Sequence, residues 1–436
     1  MITVLTLLAL APAEPIPALC AAVREIDPDG RSESTYVSGL DGYLFRLYPD
    51  LAIPPAQEPA AMALLSRFGR ELEARGTTLV LAPVPPRGMV MADKLNPADP
   101  LFSHFDPVAQ RTAWDRSLAD LRATGVRVAD MNQFPAAGPF NFKRDHHWTP
   151  DGARAGGKAV AAAIADLPIP RHTFTHTQVR EFLNEGSLGT KVSELCGQPA
   201  FPAERAPLYQ AVEQTPHALL DDAAPEIILV GTSNSNLGQA DHAYFAGAIR
   251  EESGLDVLNL GVVAGGVETS MLLALQDRQL WEHPPRILVW EATSLANFAT
   301  EPRMRQFVAE LQPPCTAENA LAEGSGKADG QPILTVDPAL GLAGGQTYLF
   351  VDGDPGLLSF RLRLSHGEKV RDVINITRVP RVAHTGDAAV LLSDRIQAPL
   401  TEVRVESLQE GFTPPVTLRV CKVRSAAEAA ATLRVK

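Results

Sequence analysis

The stretch Glu226-Ile227-Ile228-Leu229-Val230-Gly231-Thr232-Ser233-Asn234-Ser235-Asn236 decides the predicted fold. Its four consecutive apolar residues are typical of a strand that is buried on both faces of a parallel sheet. The strand leads into a small polar turn, and residues 237–252 follow with helical spacing. A serine between the carboxyl end of a strand and a helix lies in the crevice where open α/β sheets place reacting groups. Ser233 is therefore the candidate nucleophile, and a serine that only caps the helix is the alternative.

A second segment, residues 144–152, contains the groups that a serine nucleophile needs. A serine hydroxyl becomes nucleophilic beside a base that a third group orients, and Asp145 and His147 form such a pair two residues apart. Thr149 is the predicted N-cap of the following helix. His146 is an alternative base. Adjacent histidines also bind metal ions, but no further His or Cys pair lies at ligand spacing, so we predict no metal site.

Strand-like and helix-like segments alternate through the first three hundred residues or so. The predicted strands are residues 77–84, 126–131, 227–230, 257–260 and 287–290, and the predicted helices are residues 55–75, 107–124 and 150–165. Such alternation predicts a parallel sheet with helices on both faces, so the expected class is α/β, doubly wound. Residues 168–225 are rich in Pro, Gly and polar residues, and we expect an irregular insertion or lid there.

The order Asp145-x-His147-Trp148-Thr149, followed by Gly231-Thr232-Ser233, resembles the alginate O-acetyltransferase family AlgX/AlgJ. The catalytic domain of that family is SGNH-hydrolase-like, but the order of its motifs is permuted, with Asp-x-His before the serine. Residues 39–45 and 74–86 also match, so the resemblance covers about residues 35–300. It implies an SGNH-hydrolase-like sheet and an enzyme that moves an acetyl group onto hydroxyls of an exported polysaccharide, which in this family is alginate (polymannuronate).

The resemblance also implies the roles of individual residues. Ser233 would carry the acetyl group, His147 would act as the base and Asp145 would orient it, with no cofactor. SGNH enzymes take an oxyanion donor from a glycine after the strand that here spans residues 257–260, which makes Gly266 a candidate beside the Ser233 N–H; a turn that needs glycine for its dihedral angles is the alternative. The family's expected asparagine is missing from residues 290–293, so Asn234 is a substitute donor.

The family context implies a periplasmic protein. Its acetyl donor would come from a membrane acetylation partner, its acceptor would be an anionic polysaccharide, and proteins of an export complex would be further partners. Arg87 is a candidate ligand for a carboxylate of the substrate, with a solvated surface arginine as the alternative.

The carboxyl-terminal part has a different composition. Residues 312–314 and the glycine-containing residues 323–331 predict a linker. Six short β-like runs then predict an all-β sandwich: residues 346–351, 357–364, 373–376, 388–392, 402–405 and 416–420. By resemblance this is a carbohydrate-binding domain, which favours AlgX over AlgJ. We therefore expect a signal peptide at residues 1–18, an acetyltransferase domain at 19–311 and a binding domain at 312–436.

The charge distribution limits the choice of partners. The net charge is −12, and all of the negative excess lies before residue 315. An acidic surface repels nucleic acid, and binding another polyanion requires a local basic patch. Residues 361–381 hold six basic and two acidic residues. Arg361 and Arg363 alternate with leucines and so project from one strand face. With Lys369 and Arg371 they are the candidate polymer ligands, and an ordinary solvated face is the alternative.

The amino terminus and the cysteines bear on the compartment. Residues 1–10 are apolar and residues 11–13 form an A-x-A-like site, which predicts a secretory signal, although no basic residue precedes it and a cytosolic first strand is the alternative. Four cysteines without a CxxC pair predict two disulfides in an oxidising compartment, in one of three connectivities, whereas buried free thiols are the alternative. The family resemblance implies the pairs Cys20–Cys196 and Cys315–Cys421.

Two other functions use the same features. The same triad with water as the acceptor would make a carbohydrate acetylesterase. A chain with an incomplete triad would be a non-catalytic, polysaccharide-binding subunit of an export complex. Since Ser233, His147 and Asp145 are all present, we predict the transferase.

Overall fold

The computed structural model describes residues 18–26, 35–214, 225–236, 244–293, 299–342, 344–367 and 370–424. Nearly all of the predicted signal peptide and the candidate polymer ligand Lys369 lie outside the described residues. Within these ranges, no helix is long and apolar enough to span a membrane.

The first part of the chain contains nine described strands and ten described helices. The strands are β1 (Tyr36–Ser38), β2 (Leu44–Arg46), β3 (Thr78–Val84), β4 (Arg127–Val128), β5 (Phe174–Asn184), β6 (Glu204–Glu213), β7 (Ile227–Val230), β8 (Val257–Asn259) and β9 (Ile287–Thr293). The helices are α1 (Pro59–Glu73), α2 (Arg87–Val90), α3 (Pro107–Ala123), α4 (Pro150–Ala163), α5 (Ser187–Cys196), α6 (Ser233–Asn236), α7 (Tyr244–Ser253), α8 (Thr269–Gln276), α9 (Arg278–Glu282) and α10 (Glu301–Glu310).

Five strands form a parallel sheet in the order β4-β3-β9-β7-β8. Strand β7 is buried along its whole length, as its continuous apolar run predicts. Ile227 and Leu229 face a core that includes residues of α4 and α7, whereas Ile228 and Val230 face a second core with residues of α1, α8 and α10. Helices therefore cover both faces, and the predicted doubly wound α/β fold is confirmed.

The expectation of an irregular insertion at residues 168–225 is wrong for its described part. Strands β5 and β6 pair as a long antiparallel hairpin, and α5 lies between them. The hairpin buries few apolar side chains, including Ala206, Leu208 and Ala211 on β6, whereas most of β5 is at least partly exposed. A strand that packs on one face only, with polar residues elsewhere, lacks the apolar run by which buried strands are predicted.

The carboxyl-terminal part contains eight strands: β10 (Ala322–Lys327), β11 (Asp329–Thr335), β12 (Thr347–Gly353), β13 (Ser359–His366), β14 (Val370–Thr377), β15 (Ala388–Leu391), β16 (Leu400–Ser407) and β17 (Pro415–Lys422). They form two four-stranded sheets, β10-β17-β12-β15 and β11-β16-β13-β14, in which every pairing is antiparallel. Apolar side chains of both sheets share one core. The predicted all-β part is confirmed.

The predicted linker at residues 323–331 is wrong, because this segment forms most of β10 and the start of β11. A Cβ atom on Gly324 would lie 2.3 Å from the carbonyl oxygen of Ile333. Glycine is therefore required by the close approach of two backbones, and not by a flexible connection. The domain boundary at residue 311 stays a prediction.

Both disulfides, Cys20–Cys196 and Cys315–Cys421, are present with the pairing that the resemblance implies. The first joins the amino-terminal segment to the end of α5. The second joins the segment after α10 to β17. Each bridge therefore connects a loop to the end of a helix or strand that is more than 100 residues away in the sequence.

The carboxyl group of Glu310 lies where the parallel sheet's helices meet the β-sandwich. Its Oε1 accepts hydrogen bonds from Gln276 Nε2 at 2.9 Å and from the Ala389 N–H at 3.1 Å. Burial raises the pKa of Glu310 from 4.5 to about 7, against the lowering effect of these hydrogen bonds. Compared with the unfolded chain, the folded protein thus favours the neutral form of this carboxyl group.

We expect Glu310→Gln to flatten the pH dependence of the folding free energy between about pH 4.5 and 7. The unfolded carboxyl ionises near 4.5 and the folded one near 7, so the stability of the wild-type chain decreases as the pH rises through this window. The decrease from this group is ~3 kcal/mol. Denaturant unfolding at a series of pH values measures it, with Glu282→Gln, at an exposed position of α9, as the control. Parallel profiles for wild type and Glu310→Gln would contradict the assignment.

Candidate active site

The turn that follows β7 is held by a buried carboxylate. Glu291 on β9 accepts hydrogen bonds from the Thr232 N–H at 2.7 Å, from Thr232 Oγ1 at 3.0 Å and from Ser235 Oγ at 2.9 Å. A Cβ atom on Gly231 would lie 2.4 Å from Ser235 Oγ and 2.5 Å from Glu291 Oε2, so only glycine fits there. Ser233, at the start of α6, keeps a partly exposed side chain.

Glu291 is a site residue that the sequence analysis missed. Burial raises its pKa, and the hydrogen bonds from Thr232 and Ser235 act in the opposite direction. Its side chain is fully buried. The signal that points to it is a charged residue inside an otherwise apolar strand, because such a residue is retained only where it has partners.

We expect Glu291→Ala to lower the free energy of unfolding by ~3 kcal/mol, because it leaves the donors of Thr232 and Ser235 buried without an acceptor. Glu291→Gln keeps the shape and one acceptor oxygen, so we expect roughly half of that loss. Urea unfolding of the three chains at one pH measures both effects. Equal midpoints for wild type and Glu291→Ala would show that the network does not stabilise the turn.

The loop with Asp145 and His147 is folded back on itself by its neighbours in sequence. Asn141 and Trp148 form an isolated antiparallel bridge, and the Thr149 N–H donates to the Phe140 carbonyl at 2.9 Å. Thr149 Oγ1 accepts from the Gly152 N–H, so the predicted N-cap of α4 is confirmed. The loop therefore ends at the helix with a defined geometry.

Arg87 holds the same loop from the other side. Its guanidinium donates to three backbone carbonyls, of Leu44 at 3.2 Å, Asp145 at 2.9 Å and Lys143 at 2.8 Å, and its side chain is buried. These contacts correct the expectation that Arg87 meets a substrate carboxylate. Because all three nitrogens are engaged away from solvent, Arg87 supports the loop and does not face a ligand.

Asp145 and His147 form the hydrogen-bonded pair that their spacing predicts. His147 Nδ1 lies 2.7 Å from Asp145 Oδ1, and the His147 N–H donates to the same oxygen at 3.0 Å. Burial raises the pKa of Asp145, but the hydrogen bonds from His147 and the electrostatic influence of both histidines outweigh it and hold the pKa well below its usual range. An ionised Asp145 assigns the ring proton to Nδ1, which leaves Nε2 of His147 as an acceptor.

The His147 loop and the Ser233 turn are joined by a hydrogen bond between the residues that follow His147 and Ser233 in the sequence. Trp148, which is fully buried, donates from Nε1 to the Asn234 carbonyl at 3.2 Å. His147 Nε2 is buried and has no hydrogen-bond partner, and no hydrogen bond joins it to Ser233 Oγ among the described residues. Catalytic hydrogen bonds are often long before substrate binds, so this geometry is compatible with a serine–histidine pair.

His146 has a different environment from His147. Its Nδ1 lies 2.8 Å from Ser187 Oγ, and its ring lies 3.9 Å from the His147 ring. Burial and the charge of His147 lower the pKa of His146 to about 3, so it is neutral near pH 7. The contacts favour His147 as the base, because His147 alone has its Nδ1 on the carboxylate at short distance.

One group of metal-ligating atoms occurs in the described residues, and it is formed by Asp145, His146 and His147 within 4.8 Å of one another. The hydrogen bond between Asp145 and His147 accounts for the proximity of two of them. A structural or catalytic zinc site needs three or four protein ligands that point at one ion, whereas here one ring nitrogen is already bonded to the carboxylate.

Besides the Ser233 N–H, the sequence predicts Gly266 and Asn234 as donors to the oxyanion, and their surroundings differ. Gly266 is exposed, has φ +63°, and its hypothetical Cβ would touch only the side chain of Glu268 at 3.9 Å. These contacts favour the turn alternative for Gly266. Gly261 packs against the serine turn instead, since its Cβ would lie 2.9 Å from the Asn236 N atom. Asn234 is buried, its N–H donates to Thr232 Oγ1 at 3.2 Å, and its Oδ1, which has no hydrogen-bond partner, is an acceptor, so only the side-chain amide nitrogen could serve an oxyanion.

The predicted polymer ligands that the structure describes lie on the outer face of one β-sheet. Arg361 and Arg363 both donate to Glu406 on β16, at 3.2 and 2.9 Å. Arg371 on β14 and Arg404 on β16 share this face, because they oppose Ser365 and Arg363 of β13. The expected projection from one strand face is confirmed, although Glu406 offsets part of the positive charge.

Comparison with known proteins agrees with this arrangement. Residues 37–294 match the family described as SGNH hydrolase-like domain, acetyltransferase AlgX. The chain belongs to this family. The family match spans both the Asp145–His147 loop and the Ser233 turn, so the resemblance seen in the motifs is confirmed.

Curated relatives and a solved structure extend the AlgX family match. The alginate biosynthesis protein AlgX of Pseudomonas fluorescens is 30% identical over 342 residues, which cover 72% of this chain and 67% of the relative. The probable alginate O-acetylase AlgJ of Pseudomonas fluorescens is 29% identical over 243 residues, covering 52% of this chain and 59% of the relative. The structure of Pseudomonas aeruginosa AlgX matches with a TM-score of 0.78 and 25% identity over 93% of this chain and 100% of that chain.

The alignments with five AlgX relatives cover 61–72% of the length of each relative. The structural match, by contrast, includes the β-sandwich as well as the parallel sheet. The AlgX family therefore provides the fold of both parts of this chain, and its curated members are alginate biosynthesis proteins.

Proposed function

We propose that the chain is a polysaccharide O-acetyltransferase that works through an acetyl-serine intermediate. The observation that carries this proposal is the ionised Asp145 bonded to His147 Nδ1 at 2.7 Å, in a loop that Trp148 joins to the Ser233 turn. His147 Nε2 then remains free to accept a proton. The AlgX family match and the names of the AlgJ relatives support the acetyl group as the one that is transferred.

In the first half-reaction, Ser233 Oγ attacks the carbonyl carbon of the acetyl donor while its proton moves to His147 Nε2. The tetrahedral intermediate collapses, the bond from the carbonyl carbon to the leaving group breaks, and His147 returns the proton to that group. The Ser233 N–H has no hydrogen-bond acceptor among the described residues and is available to the oxyanion, with Asn234 as a second candidate.

In the second half-reaction, a sugar hydroxyl attacks acetyl-Ser233 and His147 takes the hydroxyl proton. The serine leaves with that proton, and the sugar carries the acetyl ester. Water reacts in the same way, so transfer depends on how well the acceptor is held. We propose the β-sandwich, residues 312–436, as the part that holds an anionic polysaccharide by its carboxylates, and residues 19–311 as the acetyltransferase domain.

The proposed setting is the periplasm, with an acetyl donor delivered by a membrane acetylation partner and export-complex proteins nearby. Two disulfides support an oxidising compartment. The curated AlgX relatives are named as alginate biosynthesis proteins, which supports polymannuronate as the acceptor.

The decisive experiment follows the acetyl group. The chain is incubated with a chromogenic acetyl ester, and intact-mass and peptide analysis tests for one acetyl group on Ser233. Polymannuronate oligomers are then added and analysed for acetyl ester. Acetylated oligomers support the transferase, whereas release of acetate without transfer identifies an esterase or a different acceptor. Without any acetyl-enzyme, the binding-subunit function is the better interpretation.

We expect Arg361→Gln/Arg363→Gln to weaken polymannuronate binding about fivefold at low salt and to reduce its salt dependence, because each arginine contributes a screened charge interaction. Affinity measured at two salt concentrations, with a neutral glucan in parallel, tests this. Arg419→Gln is the matched control, since Arg419 is paired with Glu323 and Asp352 on the other sheet. Equal affinity of the wild-type chain for the neutral glucan would contradict the patch.

A further inference from the structure

Helix α5 reaches the candidate active site at its first residue and is covalently tethered at its last. Ser187 Oγ lies 2.9 Å from Asp145 Oδ1 and 2.8 Å from His146 Nδ1. At the other end of the helix, Cys196 is bonded to Cys20. We propose that Ser187 is a positioning residue for the Asp145–His147 pair, and that the Cys20–Cys196 bridge keeps α5 in the place from which Ser187 reaches Asp145. The inference rests on the proposed function.

The chemistry of the three groups determines the direction of these hydrogen bonds. An ionised carboxylate only accepts, so the single hydroxyl proton of Ser187 is donated to Asp145. The hydroxyl oxygen can then only accept from His146, which assigns the His146 proton to Nδ1. The order is His146 Nδ1–H to Ser187 Oγ–H to Asp145, with His147 Nδ1–H donating to the carboxylate from the other side.

Asp145 Oδ1 therefore receives three hydrogen bonds, two from His147 and one from Ser187. The two from His147 come from the group that Asp145 has to orient, so they cannot define the carboxylate independently of the imidazole. Ser187 is the donor that stands on a different element. Its hydrogen bond fixes the orientation of the carboxylate from outside the loop, as supporting residues do in preorganised sites.

The start of α5 is docked on the same loop. The Leu188 and Gly189 N–H groups donate to the Arg144 carbonyl at 2.9 and 3.0 Å. Gly186 has φ +80°, and a Cβ atom there would lie 2.6 Å from the Arg144 carbonyl oxygen, so this junction requires glycine for both reasons. The first turn of α5 is thus joined to the loop by two backbone hydrogen bonds besides the one from Ser187.

One face of α5 rests on a small core. Leu188 and Val192 pack with Val23, Tyr36 and Leu44, and this cluster is separate from the larger cores of the sheet. A cluster of five buried residues offers limited stabilisation, so we expect the covalent bond to Cys20 to help hold α5 in place, together with the hydrogen bonds of its first turn. The bridge joins positions that are 176 residues apart in the chain. The Ser187 hydroxyl is thereby linked to the amino-terminal segment.

The test uses the full chain with four variants, and with a fifth that combines Ser187→Ala with the loss of the bridge. Ser187→Ala removes the donor, and Ser187→Thr restores a hydroxyl at this exposed position. Ser193→Ala is the matched control, because Ser193 lies on the same helix and its hydroxyl donates to the Pro199 carbonyl at 3.3 Å. Cys20→Ser/Cys196→Ser removes the bridge. The readouts are kcat and KM for a chromogenic acetyl ester and the low-field proton resonance of His147 Nδ1–H.

We expect Ser187→Ala to lower kcat about tenfold at unchanged KM and to shift the His147 resonance, since a hydrogen bond to a charged group is lost. Threonine should restore both readouts, and Ser193→Ala should match the wild type. In the bridge variant, kcat should also decrease, and Ser187→Ala should then have less effect than in the wild-type chain. The last comparison is the one that links the bridge to Ser187.

Two outcomes overturn the inference. A kcat and a resonance for Ser187→Ala that equal those of Ser193→Ala would show that Ser187 does not position Asp145. Full additivity of Ser187→Ala and the bridge variant would show that the bridge does not act through Ser187. If the wild-type chain forms no acetyl-enzyme, the proposed function fails, whereas the resonance still tests the contact between Ser187 and the Asp145–His147 pair.

Discussion

Replacing Ser233 with alanine is expected to abolish the acetyl-enzyme and to lower kcat/KM for an activated acetyl ester by at least about 10⁴-fold. The variant lacks the oxygen that forms the ester, and what remains is the binding and oxyanion contribution alone. Intact-mass analysis after mixing with the ester, together with initial rates, measures both quantities.

The fold should survive this substitution. The Ser233 side chain makes no hydrogen bond among the described residues, whereas Thr232 and Ser235 hold the turn through Glu291. Ser103→Ala, at an exposed serine of the same part of the chain, is the control and should keep full activity. A Ser233→Ala chain that still forms an acetyl-enzyme would show that the nucleophile is another residue and that the turn has only a structural role.

Replacing Asp145 with asparagine is expected to lower kcat by about 10⁴-fold. An asparagine amide that donates to Nδ1 favours the tautomer with its proton on Nε2, and that nitrogen then cannot take the serine proton. The loop itself should keep its place, because Arg87 donates to the backbone carbonyl of residue 145 and not to its side chain. Steady-state rates near neutral pH and a circular dichroism spectrum measure the two effects.

The matched control for this change is Asp115→Asn, at an exposed aspartate of α3 that is paired with Arg111. Its rates should equal those of the wild type. The pH profile adds a second check. The pKa of Asp145 is held below its usual range, so the carboxylate stays ionised at mildly acidic pH, and an acidic decline of activity there would not come from Asp145. If Asp145→Asn keeps more than about one tenth of the activity, the tautomer argument is wrong.

The β-sandwich packs directly against a helix of the part of the chain that contains the candidate active site. Arg305 on α10 donates to Asp372 on β14 at 2.6 Å and to the Leu391 carbonyl at 2.7 Å. Phe307 of the same helix packs in one core with Tyr348 of β12. A polymer held by the sandwich would thus be held by a surface that is firmly attached to the sheet that carries Ser233. This attachment favours transfer over hydrolysis in the proposed reaction, because it restricts the positions that the acceptor hydroxyl can take relative to Ser233.

Local patterns in the sequence were sufficient for the central sheet. The apolar run at Ile227–Val230 and its counterparts are long enough and apolar enough that only burial in a parallel sheet accommodates them. The same is true of the Asp145–His147 pair, since two residues in one short loop are close in any fold. Where a pattern was weak, as in the hairpin β5–β6 or at the glycines of β10, the prediction was wrong. There the strands are stabilised by partners far away in the sequence, and their own residues carry little signal.

The sequence by itself determined the class of the fold, the order of the motifs and the residue types of the candidate triad. These follow from periodicity and from short spacings, which the chain cannot change on folding. Only the tertiary structure decided which residues support the site: Glu291 behind the Ser233 turn, Arg87 under the loop, and Ser187 beside Asp145. Each of these acts across at least about forty residues of chain, and hydrogen-bond partners at such separations are selected by how the elements pack, because burying a polar group is tolerated only where packing brings a partner to it.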